Sequence, residues 1–283
     1  MDSTIEFDHC REVALQPGSL FEFTSQFLPA ETIPHLFAIY ALKQSVCDIP
    51  HLSVDDAVKW GKLKWWGEEL LADPGSPSRH PIVRALTQSG ARDKLDNSLL
   101  ISLVGDSVQQ VDAAPDSSES AMFDRFSEIG QAEIQLELAL DDAEVEPRNL
   151  KFLSAASTLF GVVSSFSPGQ RSQAERLPLS SLAKYGVTGE ALEQERCSNE
   201  LEQIIKDMVL LGLEWYSAGF DDLLLSSSSA ANNVPGLHLR LRWAMERRQL
   251  MSIQKGIAKF FTKGMRYGPV DALFAWRFLR HLK

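Results

Sequence analysis

Cysteine is nearly absent. Cys10, Cys47 and Cys197 are the only three in 283 residues, too few and too scattered for a disulfide framework or a cysteine-based zinc site. Their scarcity favours a reducing compartment. No run of 18 apolar residues occurs, so the sequence predicts no membrane-spanning helix. The first 18 residues, MDSTIEFDHCREVALQPG, are acidic and lack the apolar core of a signal peptide. The expected location is the cytoplasm or the matrix side of an organelle, with peripheral membrane attachment open and secretion excluded. Strand-like alternation is convincing nowhere, and there is no short repeat.

Charge is unevenly shared. The net charge is −10. From Arg240 to Lys283 eleven Lys/Arg face only Glu246 and Asp271, a balance of +9, which leaves −19 for the rest. An acidic body excludes general nucleic-acid binding, while the basic end suits an anionic membrane or an acidic partner. The bland alternative is that these helices close the fold and offset the acidic body.

What the chain does have is helical periodicity, with a 44% hydrophobic content ample for a core. Apolar residues recur every third or fourth place over Pro34–Leu42, Val54–Leu71, Leu95–Val111 and Phe123–Leu140. Pro81 suits the first turn of a helix beginning at His80. Leu150–Phe166 is apolar on nearly all sides and so is predicted central. Gly186 fits the end of a short turn over Ser180–Tyr185, and Glu190–Phe220 reads as a long helix. Two basic helices, about 237–264 and 269–282, come after a Ser/Asn-rich stretch. The simplest reading is one all-α domain over 1–283, with 1–18 a lead-in and 237–283 a basic end.

Certain motifs go further. Leu28-Pro29, Ala38-Ile39-Tyr40-Ala41-Leu42 and Leu63-Lys64-Trp65-Trp66-Gly67-Glu68-Glu69-Leu70 stand in order near the start. His80-Pro81-Ile82-Val83-Arg84-Ala85-Leu86, Phe126–Leu140 and Leu177-Pro178-Leu179-Ser180-Ser181-Leu182-Ala183-Lys184-Tyr185-Gly186-Val187 come later in the chain. Together they resemble the squalene/phytoene synthase family, enzymes that join two isoprenoid diphosphates head to head. The resemblance implies the all-α isoprenoid (terpenoid) synthase bundle. It also implies a Mg²⁺-dependent reaction, in which two carboxylate clusters hold metal ions against a departing diphosphate.

Those clusters are eroded. Counted forward from Tyr40-Ala41, the family's three Asp fall on Cys47, Asp48 and His51, and the preceding Arg on Gln44. Pro50 interrupts the motif and is predicted to end the helix early. Counted from Leu177-Pro178, the second cluster falls on Gly161, Ser164, Ser165, Pro168 and Gly169, with Thr158 for the family's Gln. Arg171 is kept. Gln135 replaces a small residue that lets a substrate or helix come close. The substrate-pocket candidates are thus Phe21, Phe37, Tyr40, Gln44, Gln135, Thr158 and Phe166, with Phe160 among the aromatic residues on tunnel-lining segments.

The expected function is that of a degenerate, non-enzymatic member needing no cofactor, binding a protein partner or an isoprenoid lipid. A divergent mitochondrial branch of the family with eroded Asp motifs serves in assembly of respiratory complex I, which makes an assembly role attractive. The alternative is an active prenyltransferase using Mg²⁺, Asp48 and an unrecognised acid such as Glu68, Glu69 or Glu133. A lipid carrier that keeps the tunnel is a third reading. Cys47 and His51, at i and i+4, could hold a transition metal, or record drift at a vacated site. Asp55-Asp56 reads as a helix start capped by Ser53. Of Trp65-Trp66, one is predicted in the core and the other beside the helix. His9, His35, His238 and His281 have no partner legible in the sequence.

Overall fold

The fold was analysed in a computed structural model, which describes residues 3–72, 78–168, 174–188, 199–225 and 236–282. Among these residues every regular element is helical. The N-terminal half comprises α1 (Ser3–Ala14), α2 (Leu20–Ser25), α3 (Ile33–Cys47), α4 (Asp56–Leu70), α5 (Pro81–Gln88), α6 (Ala91–Lys94) and α7 (Asn97–Val111). Then come α8 (Glu119–Leu140), α9 (Pro147–Ser165), α10 (Leu179–Tyr185), α11 (Asn199–Leu225), α12 (Leu237–Lys255), α13 (Ile257–Lys263) and α14 (Pro269–His281).

Local chemistry sets the ends. Ser19, Asp55, Asp96, Ser118 and Glu146 each accept a backbone N–H at a helix start. The cap of α4 is therefore Asp55, not Ser53, because only the Asp carboxylate meets the Ala57 N–H. Helix α3 stops at Cys47, and Pro50 sits in a single 3₁₀ turn, Ile49–His51, as its missing N–H requires. Gly186 ends α10 in the left-handed conformation, φ +66°. The single basic helix expected over 237–264 is broken at Gly256, whose backbone is not helical. The long helix begins no earlier in the described residues than Asn199 and runs on to Leu225; the expected start at Glu190 lies outside them.

Two large apolar cores result, with a smaller third where α12 meets α14. In the first, α1, α3, α4, α5 and α7 bury Ile39, Leu42, Leu63, Ile82, Leu86 and Leu103. In the second, α9 lies between α8 and α11, and its Leu153, Leu159, Val162 and Val163 are fully buried. That matches its all-round apolar surface. Each fully buried Leu, Ile or Val contributes about 1.5–3 kcal/mol. Trp66 packs into the first core at 5% exposure, while Trp65 lies outside at 43%.

Helices α8 and α9 come closest at Gly130. A Cβ there would lie 2.5 Å from the Ser154 carbonyl oxygen and 2.7 Å from Thr158 Oγ1. The close approach that the sequence reading assigned to position 135 is thus made at 130. Gly130→Ala is expected to lower stability by about 1–3 kcal/mol, because overpacking against backbone outweighs the helix propensity Ala brings. Thermal melting checks this, and an unchanged or raised midpoint would contradict the packing described.

Candidate functional site

Where α3 ends, Gln44, Cys47, Asp48 and His51 all reach one void of about 310 Å³. Its other walls are Phe21 and Thr24 of α2, Tyr40 and Lys43 of α3, and Gly130, Glu133 and Ile134 of α8. Ser157, Thr158, Phe160 and Gly161 of α9, Arg176, and Arg242 and Glu246 of α12 complete it. An adjoining cavity of about 610 Å³ shares Gln44, Asp48, His51 and Gly161, and adds Ser164, Ser165, Ser167, Pro168, Lys263 and Tyr267. The two segments to which the resemblance assigns metal sites therefore face a common space. Gly169 and Arg171 lie outside the described residues.

Not all candidates line it. Phe37 packs in the first core, edge-on to Phe21 at 5.9 Å between ring centroids. Phe166 packs against the second core. Gln135 is half-buried on α8 and is not part of the wall. Glu68 pairs with Lys64 on the α4 surface at 3.8 Å, and Glu69 bonds to Ser78, so neither of these acids reaches the cavity. Only Glu133 of the three alternative acids does.

The sequence reading missed what crosses the middle of the bundle. Glu137, one turn after Glu133, is buried and accepts four hydrogen bonds. Lys43 Nζ and Arg242 reach Oε1 at 2.6 and 2.7 Å; Tyr40 Oη and His238 Nδ1 reach Oε2 at 3.2 and 3.0 Å. His238 is therefore partnered, and because Glu137 only accepts, its Nδ1 carries the proton. Arg242 continues to Glu246 at 2.9 Å, and Glu246 also accepts from Ser157 at 2.7 Å and from Tyr216. Lys43 lies 3.4 Å from Glu133 as well. Phe21 stacks flat on Tyr40 beside this network. A signal did exist: Glu137 falls on the same stripe as Phe126, Gly130 and Glu133, and Glu246 on that of Leu239, Trp243, Leu250 and Ile253. A carboxylate on a buried stripe calls for a buried cation.

Electrostatics arise from this pairing. Burial would raise the Glu137 carboxyl, but Lys43, Arg242 and His238 together hold it well below the usual range. Burial, and Glu246 beside it, push the Tyr216 phenol well up. Burial, with Glu133 nearby, also raises the Cys47 thiol well above its ordinary value. Arg176, over the Phe126 ring at 4.8 Å, is lowered to about 10 by burial and by Arg125.

Among the described residues, the positions that the resemblance assigns to the two Mg²⁺ clusters hold one carboxylate, Asp48, and so do not fit those clusters. The carboxylates in the wall of the smaller cavity are Asp48, Glu133 and Glu246. Glu246 is fully taken by protein donors, and Glu133 faces Lys43. His51 lies against Glu175, at 3.6 Å. Among the described residues no three His, Cys, Asp or Glu side chains are grouped so that they could hold a metal ion. Mg²⁺ is held by one or two carboxylates, with waters and phosphate oxygens completing its octahedron, and each of the two clusters would need carboxylates of its own.

Residues 16–119 match the squalene/phytoene synthase family. A crystal structure of a dehydrosqualene synthase in complex with ligand superposes with a TM-score of 0.71 at 14% identity, over 99% of this chain and 96% of that one. The squalene synthase HpnC from Alicyclobacillus acidocaldarius gives 0.67 at 16% identity, over 93% of this chain and 97% of that one. None of the curated proteins compared matches in sequence. The family match thus covers residues 16–119, and the two solved structures share the helical fold.

Proposed function

For a chain that carries the squalene/phytoene synthase family's signature over residues 16–119 and its fold throughout, we propose a role played by binding rather than by prenyl transfer. The observation that carries this reading is the charge balance of the interior. Lys43 and Arg242 neutralise Glu137 and Glu246 directly, at 2.6–2.9 Å. In the family's reaction the developing diphosphate charge is met by metal ions held on free carboxylates, and such electrostatic stabilisation is the largest part of catalysis of this kind. Here those positions are Cys47, His51, Ser165 and Pro168, and the buried carboxylates already have partners.

The same network argues against a lipid carrier. An isoprenoid tail needs a continuous apolar channel. Between α3, α8 and α12 it would meet Lys43, Glu137 and Arg242, and breaking their pairs to admit hydrocarbon would leave charges buried and unpaired. A protein partner is favoured, in an accessory or assembly role.

Incubation with farnesyl or geranylgeranyl diphosphate and Mg²⁺ or Mn²⁺ is the test. Diphosphate release at the level of a protein-free control is the expected outcome. Release well above it and abolished by a chelator would overturn the proposal, and would make Asp48 and Glu133 the first residues to substitute.

A further inference from the structure

The basic C-terminal end is divided between two structural uses. Helix α12 closes the bundle: Leu239, Leu241, Trp243, Met245 and Glu246 are buried, and Arg242 serves the interior. The chain beyond α12 is turned outward. A groove of about 550 Å³ forms where the chain breaks at Gly256, and Lys255, Lys259, Lys263 and Arg266 line it without any acidic side chain. All four are exposed. By contrast Lys59, Lys94, Arg125, Lys151 and Lys184 each sit beside a carboxylate elsewhere on the molecule. Four cations gathered in a protein of net charge −10 repel one another, and an anion placed among them would relieve that repulsion.

Helix α14 supplies the second observation. Its inner face packs Phe274, Ala275, Phe278 and Leu279 onto the bundle, with Arg248 paired to Asp271 at 2.9 Å. Its outer face carries Val270, Leu273 and Trp276, exposed by 68, 47 and 50%. Arg277 and Arg280 share that face, and Arg280 lies over the Trp276 ring at 4.7 Å. At about 100° per residue these five fall within a sector of roughly 120°, opposite the packed residues. Apolar side chains with an interfacial Trp and flanking Arg are the pattern of a helix that lies in a headgroup layer.

We propose that residues 255–280 dock the protein on an anionic phospholipid surface, the groove taking phosphate headgroups and the outer face of α14 entering the boundary with the acyl chains. A soluble phosphate would account for the groove but not for the outward Val270, Leu273 and Trp276. The −19 carried by the rest of the chain orients docking, since any other approach is repelled. The surface is independent of whether the cavity turns over a substrate.

Co-sedimentation of the full-length protein tests it, with vesicles of phosphatidylcholine alone and of phosphatidylcholine with about one-third phosphatidylglycerol. Binding to the mixed vesicles only is expected, weakened but not abolished by salt. Lys255→Gln/Lys259→Gln/Arg266→Gln is expected to weaken it about 100-fold, as three interfacial cations should. Trp276→Ala should weaken it several-fold. All three cations and Trp276 are exposed, so melting midpoints near the parent's confirm folding of each variant. The proposal is overturned if mixed vesicles do not sediment the protein at low salt, if neutral vesicles do so equally, or if the triple variant binds unchanged. It is also overturned if inorganic phosphate binds the groove while vesicles do not. The diphosphate-release assay reads none of these outcomes, so failure here leaves the binding role to be judged separately.

Discussion

Glu137→Leu is expected to cost about 3–5 kcal/mol of folding stability, because it takes the acceptor from His238 and Tyr40 and leaves buried Lys43 and Arg242 each one carboxylate short, with only Glu133 and Glu246 beside them. At roughly 2–4 °C per kcal/mol for a domain of this size, the melting midpoint should fall by about 10 °C. Exposed Glu68, whose pairing with Lys64 is a surface one, is the control, and Glu68→Gln should change stability by no more than about 0.5 kcal/mol. The effect also depends on pH. The Glu137 carboxyl is held below its ordinary value near 4.5 in the folded protein. Its contribution is therefore complete above that ordinary value and is lost as pH falls below it toward the folded value. The parent should lose stability between about pH 5 and pH 3 more steeply than Glu137→Leu does. Equal melting of parent and variant at pH 7 would show that the network is not formed.

A second large effect is expected from putting carboxylates back. Cys47→Asp/His51→Asp/Ser165→Asp would set three acids beside Asp48 and Glu133 around cavities that share Gln44, Asp48, His51 and Gly161. Without metal, like charges confined there should lower the midpoint by about 5–10 °C. Millimolar Mg²⁺ should restore part of that loss by binding only the folded form, and should leave the parent unmoved. A variant that melts like the parent and ignores Mg²⁺ would mean that the segments around 47–51 and 161–168 do not converge.

Much of this fold can be read from the sequence, since the features that specify it are local. Period, caps and breakers mark α3, α7, α8 and α9, and Pro50 and Gly186 end helices where their backbone chemistry requires. The convergence of residues 44–51 and 161–168 on adjoining cavities is legible too, because anchors such as Tyr40-Ala41 and Leu177-Pro178 fix the count to those segments. Of the Glu137 network only the carboxylate on a buried stripe is legible, and its partners are not. Those partners lie 94 to 105 residues from Glu137 in the chain. Each looks like an ordinary helical charge until α3, α8 and α12 are brought together. Gly130 is not singled out for a related reason: a glycine five residues upstream of position 135 does the packing, and only the crossing point of two helices reveals which. Gly256 shows the converse, a local breaker inside a segment whose basic composition suggested continuity.

Those same separations bear on the order of folding. The first core is assembled mainly from helices within residues 1–111, with Leu136 of α8 added, and the second mainly from those beyond 118, so each can collapse largely around contacts of its own. Glu137 cannot be neutralised until stretches of chain about a hundred residues apart have met, and until then it is better left in water. The ion pairs that fix the two halves should thus form after the rate-limiting step. If so, Glu137→Leu would leave the refolding rate nearly unchanged and place its whole cost on unfolding. The central charges would then govern how long the native protein lasts, while the apolar halves govern how fast it is made.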